Sequence, residues 1–486
     1  MKHLSRVVLI AAVTLLSMCL VACGSNSSNS NDAANNNAAE TADASKDMKK
    51  VAVDQLKDDM QIIDTRTPDQ FIGWKNSEGV SGHIPGAIDF PETWFDYEPD
   101  AKIIDIELER RHIDKTKPTV LYGNDDVTED VYKKFADHGF EDLAVLEGGI
   151  NDYDKKGEKT TALEGYTRYV SPQWVSDLID GKKPEGYEGK KYQIVEVALK
   201  EEDYKEGHIP GAVYADPNKI NQIPGPRMVE EYEGIPMEKQ LTFWGFPTDE
   251  NIKKEIENLG IDEDTTVILY GTEAATTAAN RAALVMDYAG VKDIRLLNGG
   301  KPLWTLEKRA LDTEPVSVEK ANFAGDVPQN PDIVFDYDDE MKFIDDDKTV
   351  IASVRSWDEY LGKTSGYTYI AEAGDIKNGR FAYAGSDPYS MEDYRNLDNT
   401  MFNYEIIKDR WEKWGITGDK RISWHCGTGW RASETYYIGK ALGWEDDGVY
   451  VGGWYEWSKK GGPTKEPGLP KDAPEQKPEQ YHYKKK

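Results

Sequence analysis

The sequence predicts an α/β protein of three tandem domains, each a parallel sheet flanked by helices on both faces. Three observations lead to this. Gly82-His83-Ile84-Pro85-Gly86-Ala87 recurs as Gly207-His208-Ile209-Pro210-Gly211-Ala212. The short apolar runs Thr119-Val120-Leu121-Tyr122-Gly123 and Thr266-Val267-Ile268-Leu269-Tyr270-Gly271 both stop at a glycine and are both followed by a helical pattern. A short element with a glycine pair recurs as Leu146-Glu147-Gly148-Gly149, Leu297-Asn298-Gly299-Gly300 and Val451-Gly452-Gly453-Trp454, at spacings of 151 and 153 residues. Self-similarity at that period marks repeated domains, and buried strands alternating with helices mark parallel sheets.

Each element has its own reason. Lys2 and Arg6 precede an apolar run, Val7 to Leu16, that is too short for a comfortable membrane span. The run leads to Leu20-Val21-Ala22-Cys23-Gly24, which resembles a bacterial lipobox. Residues 1–22 are therefore expected to be a lipoprotein signal peptide. Cys23 is the expected lipidation site, and 23–48, rich in Ser, Asn and Ala, a flexible tether. The protein would then stand outside the cytoplasm, lipid-anchored to the bacterial cell membrane.

The first domain is expected over 49–160. Its first strand is Ile62-Ile63-Asp64, with Asp64-Thr65-Arg66 at the strand end, and a helix lies near Val131 to His138. The second is expected over 168–310, with a strand at Ile194-Val195-Glu196-Val197 and a helix from Ala278 to Tyr288. The third, over 325–465, diverges most. Thr349 to Arg355 is expected to occupy its first strand, and Gly374-Asp375-Ile376-Lys377-Asn378-Gly379 replaces the Gly-His-Ile-Pro-Gly turn. Tyr404 to Trp414 reads as a helix, Arg421 to His425 as a strand and Ala432 to Leu442 as a helix. Residues 466–486, rich in Lys, Pro and Glu, read as a mobile tail.

Composition sets limits. The 486 residues allow about three domains at roughly 150 residues each. A net charge of −30 argues against binding nucleic acid through its phosphates and against attraction to anionic membrane surfaces. Membrane contact is expected through the lipid anchor alone. Of the three cysteines, cleavage removes Cys19 and lipidation occupies Cys23, so Cys426 is left as the lone thiol.

Cys426 stands where the earlier repeats carry Gly123 and Gly271, in His425-Cys426-Gly427-Thr428-Gly429-Trp430-Arg431. A glycine-rich turn between strand and helix lets backbone N–H groups converge on an anion. The helix N-terminus and Arg431 add positive charge. This setting favours a thiolate, the nucleophilic form of cysteine.

These signatures resemble the rhodanese-family sulfurtransferases: the Gly-His-Ile-Pro-Gly-Ala turns, the Asp64-Thr65-Arg66 strand end, the glycine pairs and the loop Cys426 to Arg431. The resemblance spans roughly 50–465. The plan is similar to that of bacterial sulfurtransferases with three rhodanese domains, of which only the last carries the cysteine. The resemblance implies that Cys426 attacks a small anionic donor such as thiosulfate and keeps its sulfur as a persulfide. It then passes the sulfur to cyanide, a thiol or a protein acceptor. Gly427, Thr428, Gly429, Trp430 and Arg431 would bind substrate and persulfide. No metal or organic cofactor is implied. In the third domain Lys377 and Arg380 are candidates for extra positive charge near the donor.

Three other functions compete. A cysteine phosphatase needs five residues between Cys and Arg, and here there are four. A mercaptopyruvate donor belongs to a branch whose loop ends in Val-Thr, where this chain has Trp430-Arg431. A persulfide carrier or binding module would use the same thiol without turnover. His425 is expected to face away from the Cys426 side chain, since neighbours on a strand alternate. His83, His208, Arg66 and Arg355 are expected to be structural. Domains 1 and 2, without a thiol, are expected to cover the active domain or bind a partner.

Overall fold

The computed structural model describes residues 48–480 and 482. The expected signal peptide, Cys23 and most of the expected tether lie outside the described residues. The described residues form one compact unit. Three five-stranded sheets are present, each with its strands in the spatial order first, fifth, fourth, second, third. All the paired strands run parallel.

The central strands, Thr119–Tyr122, Thr266–Gly271 and Arg421–His425, are buried along almost their whole length. Helices cover both faces, which explains why these strands read as continuous apolar runs. Thr128, Ser171 and Thr248 cap the following helices by accepting backbone N–H bonds.

The Gly-His-Ile-Pro-Gly turns are structural. His83 stacks on Phe71 at 3.8 Å and His208 on Tyr204 at 4.0 Å. Each turn also forms an antiparallel bridge to the segment after the last helix, His83 with Thr161 and His208 with Asp312. The third domain keeps this turn although it lost the motif. The Gly379 N–H donates to the Ile376 carbonyl as Ala87 does to Ile84, and Asn378 takes φ 62° where Gly86 takes 77°.

The tail is a correction to the sequence reading. Ile376 bridges Thr464, just as the other turns bridge their linkers, and the Gly468 N–H donates to the Leu361 carbonyl. Asp472 pairs with Arg380 at 2.6 Å, and Glu475 accepts from Tyr383 and Trp414. Through at least Gln480, which donates to Asp393, the segment is a strap over domain 3.

The domains are tightly joined. One hydrophobic core runs through domains 2 and 3, where the Thr276–Ala289 helix packs on the Trp430–Ala441 helix. Residues 392–403 of domain 3 knit all three together. Asp398 accepts from Trp94 of domain 1 at 2.7 Å, and Asn403 donates to Asp89 at 2.8 Å. Asn399 donates to Thr276 at 3.0 Å and to the Gly299 carbonyl at 3.2 Å, both in domain 2.

Candidate active site

The Arg421–His425 strand delivers Cys426 to the end of the sheet, with its side chain only 1% exposed. Gly429, at φ 80°, turns the chain into the Trp430–Ala441 helix. The repeated glycine pair now has a geometric explanation. Gly453, at φ 52°, sits so close that a Cβ would lie 2.6 Å from the Cys426 carbonyl oxygen. The helix it starts donates Trp454 N–H to the Cys426 carbonyl at 2.8 Å and Tyr455 N–H to the Gly427 carbonyl at 3.0 Å. Domain 1 repeats this, with Ile150 donating to the Gly123 carbonyl.

In a trans peptide the N–H points opposite to the C=O. The Gly427 and Thr428 N–H groups therefore face away from the Gly453–Lys460 helix. Among the described residues no protein acceptor meets the N–H groups of Gly427, Thr428 or Gly429. Those of Trp430 and Arg431, in the first helical turn, have no intrahelical partner. This is a cradle of donors suited to an anion.

Arg431 takes a place the sequence did not show. Its guanidinium is buried and grips Glu359 with two 3.0 Å bonds, one from each terminal nitrogen. It also donates to the Tyr367 hydroxyl at 2.9 Å. Glu359 accepts in addition from Arg355 at 3.1 Å. Burial pushes the Glu359 carboxyl up, but Arg431 and Arg355 outweigh it and hold Glu359 below its usual range. Arg431's charge is thus met inside the protein.

His425 lies with its Nε2 3.3 Å from Asp375 Oδ1, both side chains unexposed. Ser353 donates to Asp375 at 2.6 Å. Burial pushes the Asp375 carboxyl up, and His425, Arg355 and Ser353 together bring it below the ordinary value. Lys377 and Arg380, candidates for donor binding, instead pair with Asp345 and Asp472. Their charge is met at the surface.

Aromatic rings wall the loop. A Cβ on Gly427 would meet the Tyr367 ring at 2.3 Å. Tyr369 lies against Thr428 and stacks on Trp244 of domain 2 at 4.7 Å. Trp430 is half-buried against the shared core, and its indole N–H has no acceptor. Domain 2 closes the wall further. The Val229 N–H donates to the Thr368 carbonyl at 3.0 Å, and Tyr455 donates to the Gln240 carbonyl at 2.7 Å. Among the described residues no cluster of His, Cys, Asp and Glu is arranged to hold a metal, and no helix is long and apolar enough to cross a membrane.

Sequence reasoning missed Glu359, Tyr367, Trp244 and Arg281. Arg281 left one signal: it is the only basic residue in the alanine-rich Thr276–Ala289 helix, and a charge on an otherwise apolar helix face is a buried charge.

A family model of the Rhodanese-like domain matches residues 47–156, 171–307 and 338–460. This chain belongs to the rhodanese family. It is 33% identical over 415 residues to the thiosulfate sulfurtransferase YnjE of Escherichia coli, covering 84% of this chain and 90% of that protein. It is 31% identical over 301 residues to the sulfur carrier protein TtuD of Thermus thermophilus, covering 59% of this chain and 92% of that one. Among solved structures, EanB in complex with ergothioneine aligns with a TM-score of 0.79 and 32% identity, covering 87% of this chain and 100% of that one. Other EanB structures hold hercynine or a persulfide cysteine. The rhodanese described here is therefore a sulfurtransferase with three rhodanese-like domains, and its chemistry is persulfide-mediated sulfur transfer.

Proposed function

We propose that Cys426 is the sulfur carrier and thiosulfate its donor. The observation that carries this is the thiol at the strand end, flanked by backbone N–H groups that no protein acceptor meets. The Cys426 thiolate attacks the outer sulfur of thiosulfate. The donor's S–S bond breaks, its electron pair leaves on sulfite, and a persulfide anion remains on Cys426. A nucleophile such as cyanide then takes the outer sulfur and the thiolate returns, a covalent two-step cycle. The N–H groups of 427–431 hold the negative sulfur in place.

The Glu359 pairing narrows the role of Arg431 to positioning the loop and the Tyr367 wall. A second reading draws on hercynine, the ligand of several EanB complexes. The rim next to the loop is aromatic, with Tyr389 68% exposed and edge-on to Tyr367 at 5.5 Å. Such a rim suits an organic cation. We further propose that the signal segment anchors the enzyme through Cys23 outside the cytoplasm.

Mass spectrometry of the Cys426 peptide tests the reading. Treatment with thiosulfate is expected to add one sulfur atom, and cyanide to remove it as thiocyanate. Absence of a sulfur gain with thiosulfate, but gain with polysulfide followed by transfer to hercynine, would replace the thiosulfate reading with the second one.

A further inference from the structure

Domain 2 has no thiol, yet its Thr276–Ala289 helix carries Arg281 to the Cys426 loop. Arg281 is fully buried. Its Nη1 approaches the Gly429 carbonyl at 3.5 Å and its Nε the Asn221 carbonyl at 3.4 Å, both long for an arginine hydrogen bond. Its Nη2 has no partner. Gly429 makes this approach possible, since a Cβ there would lie 2.8 Å from Arg281 Nη1. The Phe246 ring lies 4.9 Å away and supplies no countercharge.

A buried cation without an anion is among the costliest arrangements in a fold. Burial pulls Arg281 down to about 9, and the one charge that opposes this is that of Cys426. Two further buried donors flank the same loop without acceptors, Trp430 Nε1 and Arg431 Nε. The remaining charges around the thiol are already matched. Arg431 is held by Glu359, and Asp375 lies between His425 and Arg355. Tyr367 and Tyr369 are kept neutral by burial.

We propose that Arg281, a residue of the cysteine-free second domain, is the countercharge for the anionic sulfur on Cys426 and makes the site select negatively charged donors. The sulfur carries one negative charge as thiolate and again as persulfide, so the same guanidinium serves both halves of the cycle. Arg281 moves no proton and forms no bond. It is a positioning residue that acts by charge, and it rests on the reading of Cys426 as sulfur carrier. The site is then shared: domain 3 supplies the nucleophile and donor cradle, domain 2 the cation.

Two alkylating agents of similar size, one anionic and one neutral, provide the test. The full chain is treated with anionic iodoacetate or neutral iodoacetamide, and the rate of modification of the Cys426 peptide is read by mass spectrometry. Arg281→Met is expected to lower the iodoacetate-to-iodoacetamide rate ratio by about ten-fold, and Arg281→Lys to restore most of it. A purely structural role would slow both reagents alike. An unchanged ratio in Arg281→Met would overturn the proposal. If that variant lacks a cooperative unfolding transition, Arg281→Gln takes its place in the same comparison. Thiosulfate loading of the wild-type chain is measured in parallel. Loading with an unchanged ratio removes the role of Arg281 alone. A lowered ratio without loading from any donor removes the carrier reading and keeps the charge placement.

Discussion

The ends of the central strands in domains 2 and 3 share one skeleton and have opposite contents. In both, a strand runs into a turn, a helix follows, and a glycine pair lets a second helix press on the turn. At Gly271 the space is filled from outside. Asn399 of domain 3, itself at φ 66°, bonds Thr276 and the Gly299 carbonyl, and the Met401 N–H donates to Asn298 at 2.8 Å. A cavity of about 40 Å³ is left. At Cys426 the space keeps buried donors without acceptors. Domain 1 is a third solution: its turn fills itself through amides, with Asn76 bonding Asn124 and Asn151 and Asn151 bonding Asp125. The difference shows that a silent site is more than one that lacks its nucleophile. In domain 2, side chains from the neighbouring domain occupy the hollow, which turns a catalytic space into a docking socket.

Three substitutions break or sharpen this contrast. Cys426→Gly gives domain 3 the residue that domains 1 and 2 carry. Thiocyanate formation is expected to fall by about a thousand-fold or more, while thermal unfolding stays close to that of the wild type. Residual turnover near wild type would place the nucleophile elsewhere.

Glu359→Gln removes the carboxylate that holds Arg355 and Arg431 in the buried interior of domain 3. Leaving buried charge uncompensated is expected to cost about 3–5 kcal/mol, read as a lowered urea midpoint. A change near zero would mean that the two arginines find other partners.

The smallest effect concerns Glu340, beneath the central strand of domain 3. It accepts from Ser423 at 2.5 Å, at the position that Val120 and Ile268 occupy in the other domains. Burial raises Glu340 from 4.5 to about 8. The folded chain therefore keeps a proton that the unfolded chain releases, and stability declines as pH rises from 4.5 to 8. Glu340→Gln is expected to flatten that decline and to add about 1–3 kcal/mol at pH 8. Parallel pH curves for the two proteins would show that the carboxyl is not held protonated.

Much of this was legible in the sequence because it is local. The strand runs, the recurring turns and the glycine pairs each depend on neighbours within one domain. Cys426 announced itself by replacing a glycine of the repeat. What escaped depends on long-range packing. Arg431 reads as a free cation until Glu359, 72 residues away, is brought to it. Asp375 looked like a lost histidine. In the fold it supplies the carboxylate that Asp64 and Glu196 supply from what prove to be the second strands of their sheets, each preceded by a short edge strand the sequence reading missed, where domain 3 has Ser353. The strap after 464 has a composition typical of mobile ends, and only its anchor points, Asp375, Leu361 and Arg380, reveal its order. Arg281 crosses a domain boundary that the repeat pattern had made look like a division of labour.

Residues 392–403 belong to the last domain and complete the first two. In order of synthesis, domains 1 and 2 emerge with Trp94, Asp89 and Thr276 awaiting partners that a later third of the chain encodes. Domains ordinarily fold as units from the N-terminus. Here the final polish of the early domains waits for the late one, so a chain cut short after its second repeat is left with open sockets rather than with two finished modules.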